Sequence, residues 1–237
     1  MHQFYAPDIA ETLVLPQEES QHAVKVLRLG EGDEIEVVDG AGMRYICKIT
    51  FAHQKHCGVE IVETIEQPNH WGCSIVIGIA PTKNIDRIEW MAEKCTEAGI
   101  DRIIPLKCRF SERKELKTER LNKILVSAMK QSLKASLPVL DEMTPVKEIL
   151  NMDFKGQKFI AYCDKNIERK VLAKEYKAGS DVLMLIGPEG DFSPEEVELA
   201  LERGFVPVTL GNSRFRTESA AVFACNAVHV INQQNQE

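Results

Sequence analysis

The sequence predicts an α/β protein in two parts: a small antiparallel β barrel or sandwich, then a mainly parallel sheet with helices on its faces. In the first 66 residues, short alternating runs such as EIEVVDG and GVEIVETI are separated by turn residues. From Cys73 onward, apolar strands alternate with helical patterns. The segment QPNHWG, residues 67–72, is the predicted linker, so the predicted domains are residues 1–68 and 73–237.

The second part shows clear signals for its individual elements. Its predicted strands are CSIVIGIA, RIIPL, KFIAYC, DVLMLIG and VPVTLG. A helix is predicted from Asn84 to Ala98 with Gly99 ending it, and another runs through TERLNKILVSAMKQSL. Ser193 and Glu196 form a capping box with Pro194 at the first helical position. The last helix, TESAAVFACNAVHVI, is apolar or small on nearly every side, which predicts burial all round, either partly against a second copy of the chain or entirely within the core of a monomer.

Composition restricts the class of protein. The chain is 44% hydrophobic and 27% charged, which is typical of a soluble globular protein. The N-terminus lacks a basic segment followed by an apolar stretch, and no apolar run approaches the roughly 20 residues of a membrane-spanning helix. Seven cysteines without short spacings indicate reduced thiols rather than a disulfide framework. We therefore expect a cytoplasmic protein with no membrane partner.

One cluster consists of residue types that commonly serve as metal ligands. His53, His56 and Cys57 fall in FAHQKHCGVE, between two predicted strands. A solvated hairpin turn is the favoured interpretation and a zinc site is the alternative, because structural zinc usually takes four protein ligands and no second pair accompanies these three. We expect no metal.

Charge is unevenly distributed along the chain. The net charge is −7, yet residues 71–180 carry 21 Lys and Arg against 15 Asp and Glu. Within them, residues 106–123 hold seven basic side chains against three Glu. Such a local basic surface is what phosphate contacts require, so nucleic-acid binding is one interpretation. A solvated loop and helix face is the other.

Two glycine-containing loops follow predicted strands, in LMLIGPEG and PVTLGNSRFRTE. In an open α/β sheet, ligands bind at the carboxyl ends of strands. Gly187, Gly190 and Gly211 permit close approach of the backbone to a ligand or a positive φ. The first loop has no Lys and carries Glu189 and Asp191, which would repel a phosphate. A cationic or neutral ligand therefore fits better, although an ordinary turn remains the simpler reading.

The two loops together carry a resemblance to a known family. LIGPEGDFSPEE followed by VTLGNSRFRTESAA closely resembles the C-terminal half of the ribosomal RNA small subunit methyltransferase E family. HAVKVLRLGEGDEIEVVDGAG resembles that family's N-terminal RNA-binding barrel, which is PUA-like, and MAEKCTEAGIDRIIPL and KQSLKASLP resemble its central segments. The resemblance implies an N-terminal PUA-like β-barrel and a C-terminal SPOUT α/β domain with a trefoil knot.

The resemblance also implies an activity. The family methylates N3 of a uridine in the decoding region of 16S rRNA, with S-adenosyl-L-methionine as the methyl donor and a homodimer as the working unit. The implied partners are therefore 16S rRNA in the small ribosomal subunit and a second copy of the chain. Methylation of another RNA position, and a non-enzymatic rRNA-binding assembly factor, are the alternatives.

Candidate roles for individual residues follow from the resemblance, from the chemistry of the implied reaction and from the distribution of basic residues. Arg216 and Glu218 are the candidate catalytic residues, because uracil N3 must lose a proton and the resulting anion needs stabilisation. For Glu218 the alternative is a carboxylate at a helix N-terminus with Thr217 as the cap. For Arg216 the alternative is a contact with a phosphate or with another subunit. The RNA-binding candidates are Lys25, Arg28, Arg109, Arg113 and Lys114. The cofactor-binding candidates are Cys163, Ile186, Gly187, Glu189, Gly190, Leu210, Gly211, Phe215 and Thr217.

Some positions depart from the family pattern. Asp191 stands where the family usually has a second glycine, and Ser213 stands where it usually has an arginine. Lys130 and Lys134 replace the common Glu and Arg, and a lysine cannot reproduce the bidentate geometry of an arginine. These differences place single contacts in question and leave the reaction class intact.

Overall fold

The computed structural model describes residues 2–68, 71–163 and 167–235. The chain divides into two compact units. Unit 1 contains Met1–Asn69 and Val126–Leu137, and unit 2 contains His70–Leu125 and Pro138–Glu237. The predicted linker 67–72 falls at this division, although residues 69–70 lie outside the described ranges. The sequence-derived boundaries at residues 68 and 73 stay predictions.

Unit 1 is built around a four-stranded sheet in the order β1-β2-β3-β4. The pairs β2–β3 and β3–β4 are antiparallel, as predicted, whereas β1 joins β2 in parallel and was not predicted. Strand β1 has only three residues, which is too short for an alternating pattern to predict a strand. The elements are β1 (Gln3–Tyr5), α1 (Ile9–Thr12), α2 (Gln17–Gln21), a π-helical turn (His22–Val26), β2 (Glu34–Val38), β3 (Met43–Phe51) and β4 (Gly58–Glu66).

The core of unit 1 is apolar and includes Phe4, Ile9, Ile35 and Ile49. Residues 126–137 belong to the same unit, where Met129 and Ala135 pack with Val38 in a second small cluster. Unit 1 therefore draws on two separate stretches of the chain.

Unit 2 is a parallel sheet with helices on its faces, as the alternating pattern predicts. The strands are β5 (Ile75–Ile79), β6 (Arg102–Lys107), β7 (Val139–Leu140), β8 (Thr144–Pro145), β9 (Gln157–Ala161), β10 (Lys170–Val171), β11 (Val182–Ile186) and β12 (Val206–Thr209). The helices are α3 (Ile85–Ala98), α4 (Thr118–Gln131), α5 (Val146–Leu150), α6 (Leu172–Glu175), α7 (Pro194–Glu202) and α8 (Thr217–Gln234). Helix α4 begins in unit 2 and ends in unit 1.

The sheet order is β10-β12-β9-β11-β5-β6-β7, with β8 also paired to β6, and each of these pairs is parallel. All five residues of β5 and of β11 are buried, which explains why both read as continuous apolar runs. Because the strands are parallel, the loops after β9, β11 and β12 leave from one edge of the sheet.

Cap residues fix where helix α3 begins and ends and where helix α7 begins. The Asn84 side chain accepts a 3.0 Å hydrogen bond from the Asp86 N–H at the start of α3, and Gly99 ends that helix at a φ of 109°. The predicted capping box of α7 is present between Ser193 and Glu196. The structure confirms these predictions. They can be made from sequence because cap contacts join residues that are close together in the chain.

Helix α8 packs against α3, β5 and β11 but is not buried on every side. Phe223 is 43% exposed and Val230 is 51% exposed, and both lie on the same face at a spacing of seven residues. Trp90 of α3 is 43% exposed as well. A single chain therefore leaves one apolar face of α8 exposed, so the alternative of a helix buried entirely in a monomer core is wrong. Burial on every side stays a prediction that depends on a second copy of the chain.

Candidate functional site

The candidate site lies where β9, β11 and β12 end. The order β12-β9-β11 places these three strands side by side, so their following loops share one edge. Cys163 follows β9, Gly187 and Gly190 follow β11, and Gly211 follows β12. The structure therefore brings the predicted cofactor loops together at the position where open α/β sheets bind ligands. The rest of the predicted loop after β9, residues 164–166, lies outside the described residues.

Gly187 and Thr217 connect the first of these loops to helix α8. The Thr217 hydroxyl is buried and donates to the Gly187 carbonyl at 3.2 Å. A Cβ on Gly187 would lie 3.0 Å from the Phe192 ring, so a side chain there requires the ring to move. Ile186 is buried directly before this turn. The helix start and the β11 loop are therefore held as one piece.

Asp191 has a defined role that a glycine cannot reproduce. It adopts a left-handed conformation with a φ of 66°, which costs a non-glycine residue about 1 kcal/mol. Its carboxylate accepts hydrogen bonds of 2.9 Å from the Cys163 N–H and from the Phe192 N–H. Asp191, which stands where the family usually has a glycine, thus joins the loop after β9 to the loop after β11.

Glu189 connects the β11 loop to the segment that follows β5, on the other side of β11 from β9. Its carboxylate accepts a 3.1 Å hydrogen bond from the Lys83 N–H, in the segment that follows β5. Glu189 is therefore engaged with the protein backbone, and the structure gives it a positioning role. Gly190 is exposed, and a Cβ there would lie 3.3 Å from Phe110.

The loop after β12 supplies conformational freedom and apolar surface. Gly211 has a φ of 132° with open space where a Cβ would project, so it is the backbone conformation that requires glycine. Leu210 and Phe215 are half-buried. The Phe215 ring packs against the Phe223 ring with centroids 4.9 Å apart. Leu210 and Phe215 thus retain apolar surface for a planar ligand.

Arg216 and Glu218 flank Thr217 but lie in different environments. Arg216 is exposed, has an extended conformation at the position before α8, and makes no side-chain cap. Thr217 is the first helical residue, so the alternative in which it caps the helix is wrong: its hydroxyl bonds to Gly187 instead. Glu218 is only 5% exposed.

The Glu218 carboxylate has one oxygen near a cation and one without a partner. Its Oε1 lies 3.8 Å from Nε of Arg87, which is longer than a hydrogen bond. Its Oε2 is buried and has no hydrogen-bond partner among the described residues. A buried carboxylate oxygen without a donor is costly, so this oxygen is suited to a donor brought by a ligand. Sequence reasoning missed Arg87, whose only signal is a basic residue in the first turn of a helix that starts at this edge.

The predicted RNA-binding residues fall into two groups. Lys25 and Arg28 are exposed in unit 1. In unit 2, Arg109 pairs with Glu195 at 3.1 Å, whereas Arg113 donates to the carbonyls of Thr82 and Lys83. Lys114 is exposed and lines a cleft. Arg113 is thus engaged in holding a loop, and Lys114 is directed to the cleft surface.

The structure also shows the surroundings of Lys130 and of the His53, His56 and Cys57 cluster. Lys130 lies 2.6 Å from Glu19 within unit 1, so this lysine has a local acidic partner. The His53 and His56 rings stack with centroids 4.5 Å apart, and Cys57 is buried in the unit 1 core. Within residues 2–68, 71–163 and 167–235, no group of three metal-binding side chains occurs. In the same ranges no helix has the length and apolar character needed to cross a membrane.

Comparison with known proteins gives the class. The RNA methyltransferase domain family matches residues 69–229, and the RNA methyltransferase PUA domain family matches residues 15–62. The protein therefore belongs to the RNA methyltransferases. Within that class it is a member of the ribosomal RNA small subunit methyltransferase E family.

Several relatives resemble the chain along its whole length. A probable rRNA-methyltransferase from Porphyromonas gingivalis is 42% identical, covers 100% of both chains and superimposes with a TM-score of 0.95. The ribosomal RNA small subunit methyltransferase E of Neisseria gonorrhoeae, solved bound to S-adenosyl methionine, is 25% identical over 98% of each chain with a TM-score of 0.85. The Bacillus subtilis protein of that name is 27% identical over 92% of this chain and 90% of its own.

Proposed function

We propose that the protein transfers the methyl group of S-adenosyl-L-methionine to N3 of a uridine in the decoding region of 16S rRNA. Family membership makes it an S-adenosylmethionine-dependent rRNA methyltransferase. The observation that carries the proposal is the convergence of three loops on the start of α8, where Arg216 is exposed and Glu218 has an open buried oxygen.

The residues at the sheet edge fit the cofactor. Gly187, Gly190 and Gly211 are placed for backbone contacts, and Leu210 and Phe215 offer apolar surface for an adenine. The acidic side chains Glu189 and Asp191 suit a ligand that carries a sulfonium and an ammonium group rather than a phosphate. When bound, the cofactor supplies an electrophilic methyl group. Cys163, Ile186 and Thr217 shape the site through their backbone and packing.

The target atom sets the requirements for catalysis. Uracil N3 carries a proton, so its lone pair becomes nucleophilic only when that proton is removed. Arg216 is proposed to stabilise the negative charge that then develops on the uracil oxygens, because a guanidinium offers several donors in a fixed geometry. Its exposed, extended position before α8 leaves that guanidinium accessible to a substrate.

Glu218 is proposed to receive the N3 proton or to orient the base through its Oε2. That oxygen lacks a donor among the described residues, and its side chain lies in the first turn of α8, next in sequence to Thr217, whose hydroxyl donates to the Gly187 carbonyl. Arg87 holds the other oxygen by charge at 3.8 Å and so directs the open oxygen away from itself. A carboxylate in hydrogen-bond reach of the proton it abstracts is the geometry that general base catalysis needs.

The working unit is proposed to be a homodimer with a knotted C-terminal domain. The exposed apolar face of α8 with Phe223 and Val230, together with Trp90, supports association with a second copy, because exposed apolar patches mark interaction sites. Two observations support the knot, although knots are rare in proteins: the strand order β12-β9-β11 and the hydrogen bond from Thr217 at the start of α8 to Gly187.

Genetic deletion followed by complementation tests the function. 16S rRNA from a strain that lacks the gene is digested and its nucleosides are measured by mass spectrometry. We expect 3-methyluridine to disappear, to return with the wild-type gene and not to return with Arg216→Ala. Retention of 3-methyluridine in the deletion strain would contradict the proposal.

A further inference from the structure

A cleft of about 420 Å³ lies beside the candidate cofactor loops in unit 2. Its lining residues come from the segments that follow β5 and β6 and are Lys83, Glu112, Arg113, Lys114 and Glu115. Glu189 of the β11 loop bonds to the Lys83 N–H, so the cleft and the loop share a wall. It occupies the carboxyl edge of the sheet, as the cofactor loops do.

The backbone that carries Lys83 is held on two sides. Arg113 Nη2 donates to the Lys83 carbonyl at 2.7 Å and Arg113 Nε donates to the Thr82 carbonyl at 3.1 Å. Glu189 accepts from the Lys83 N–H at 3.1 Å. The arrangement fixes the backbone from which the Lys83 side chain extends.

The Lys83 side chain itself is open to solvent, with 82% of its surface exposed. Its Nζ lies 3.3 Å from Glu112, whose side chain is 56% exposed. An ion pair this exposed contributes little, about 0–1 kcal/mol, so a stronger anion displaces the carboxylate readily. Lys114 offers a second ammonium group on the same cleft. Glu115 opposes them with one further negative charge.

We propose that this cleft binds a backbone phosphate of the rRNA strand that carries the target nucleotide, with Lys83 and Lys114 as the phosphate ligands. The inference rests on the proposed function and names a contact beside its site. Arg113 is a positioning residue that fixes Lys83, and Glu189 links the phosphate site to the β11 loop. Phosphate contacts of this kind set the register of a nucleic acid without reading its sequence.

The test measures binding to small ribosomal subunits from the deletion strain at several salt concentrations. Each ammonium that neutralises a phosphate contributes a slope of roughly −0.7 to −0.9 in log K against log salt. We expect Lys83→Ala and Lys114→Ala each to flatten the slope by about one of these steps, and the double variant by about two. Glu112→Gln removes the competing carboxylate and should raise the affinity.

Lys155→Ala is the matched control, because Lys155 is an exposed lysine that precedes β9 and so lies at the opposite edge of the sheet. It should leave the slope unchanged, and all variants should keep wild-type cofactor affinity. Millimolar inorganic phosphate should compete only weakly if the ligand is an RNA phosphate. Strong competition, or a double variant with an unchanged slope, would overturn the inference. Absence of rRNA binding by the wild type would instead refute the proposed function.

Discussion

The Thr217 hydroxyl donates a 3.2 Å hydrogen bond to the Gly187 carbonyl and so joins the first residue of α8 to the turn after β11. The proposed cofactor loop and the proposed catalytic residues are thereby held together by one buried contact. Its loss should affect both.

Thr217→Val removes the hydroxyl while keeping the branched shape. A typical hydrogen bond contributes about 0.5–1.5 kcal/mol, and the buried Gly187 carbonyl would lose its donor. We expect S-adenosylmethionine affinity, measured by calorimetry, to fall about three- to tenfold. Thr217→Ser keeps a hydroxyl and should stay close to wild type. Equal losses for Val and Ser would mean that packing of the methyl group, and not the hydrogen bond, matters at this position.

Asp191 gives a prediction with a rank order. Asp191→Gly removes the backbone strain but also both carboxylate bonds, whereas Asp191→Ala removes the bonds and keeps the strain. We expect thermal stability and cofactor affinity to decrease in the order Asp, Gly, Ala. Melting temperatures and calorimetric affinities check the order. If Gly is equal to or better than Asp, the carboxylate bonds to Cys163 and Phe192 do not stabilise the loops.

Arg216→Ala should lower the single-turnover methylation rate by roughly 10²-fold or more, which is the scale for losing one electrostatic donor to a developing anion. Cofactor affinity should change little. Arg216→Lys should restore only part of the rate, because an ammonium cannot reproduce the guanidinium fork. Separate measurement of rRNA affinity is the control. A loss confined to rRNA affinity would assign Arg216 to phosphate binding.

Glu218→Gln keeps the size of the side chain and removes the base. If Glu218 accepts the N3 proton, the rate of the chemical step should fall by roughly 10²-fold or more. Arg87→Ala should produce a smaller loss in the same step, and Arg87→Lys should recover most of it because the opposing charge is kept. Single-turnover rates at saturating cofactor and rRNA measure both. A wild-type rate for Glu218→Gln would remove it from the catalytic role.

The thiols provide a test of the cofactor site that does not depend on activity. Cys163 is exposed and the other six cysteines are buried. Burial raises the pKa of Cys47 to about 11 and that of Cys108 to about 12. The buried Cys225 has a lowered pKa because the Cys95 thiol donates to it, yet reagents cannot reach it. In the native protein we therefore expect one reactive thiol, Cys163.

Burial and the nearby Asp191 carboxylate raise the pKa of Cys163, so less thiolate is present at a given pH than for a free cysteine. Alkylation at neutral pH should accordingly be slower than for glutathione and should accelerate as the pH rises. S-adenosylmethionine should slow the reaction further by covering the loop after β9. Cys163→Ser is the control that should abolish the fast phase. Alkylation that saturating cofactor leaves unchanged would place Cys163 outside the cofactor site.

Local signals in the sequence were sufficient for most of the fold. The cap of α3 at Asn84, its end at Gly99 and the capping box of α7 are short-range features, and the structure confirms them. The parallel pairing of β1 with β2 was missed because three residues carry no periodic signal. The clustering of Val126–Leu137 with unit 1 depends on long-range packing, which a pattern along the chain does not encode.

The candidate site was predicted in outline but not in its contacts. The two loops and the motif around Arg216 were predicted through the resemblance to a known family, and among the three site glycines the backbone conformation itself requires glycine at Gly211. The bonds of Glu189 to Lys83, of Asp191 to Cys163 and of Thr217 to Gly187 join residues separated by 28 or more positions. Sequence spacing gives no access to such pairs, so the positioning roles emerged only from the structure.

Methylation of N3 is tested most directly by a single-turnover reaction of the purified protein. The substrates are S-adenosylmethionine carrying an isotope-labelled methyl group and small ribosomal subunits from the deletion strain. The digested rRNA is analysed by mass spectrometry for labelled nucleosides and for the position of the label. We expect labelled 3-methyluridine at a single uridine of the 16S decoding region. Label on a ribose, on another base or at a site outside that region, or no label at all, would contradict this expectation.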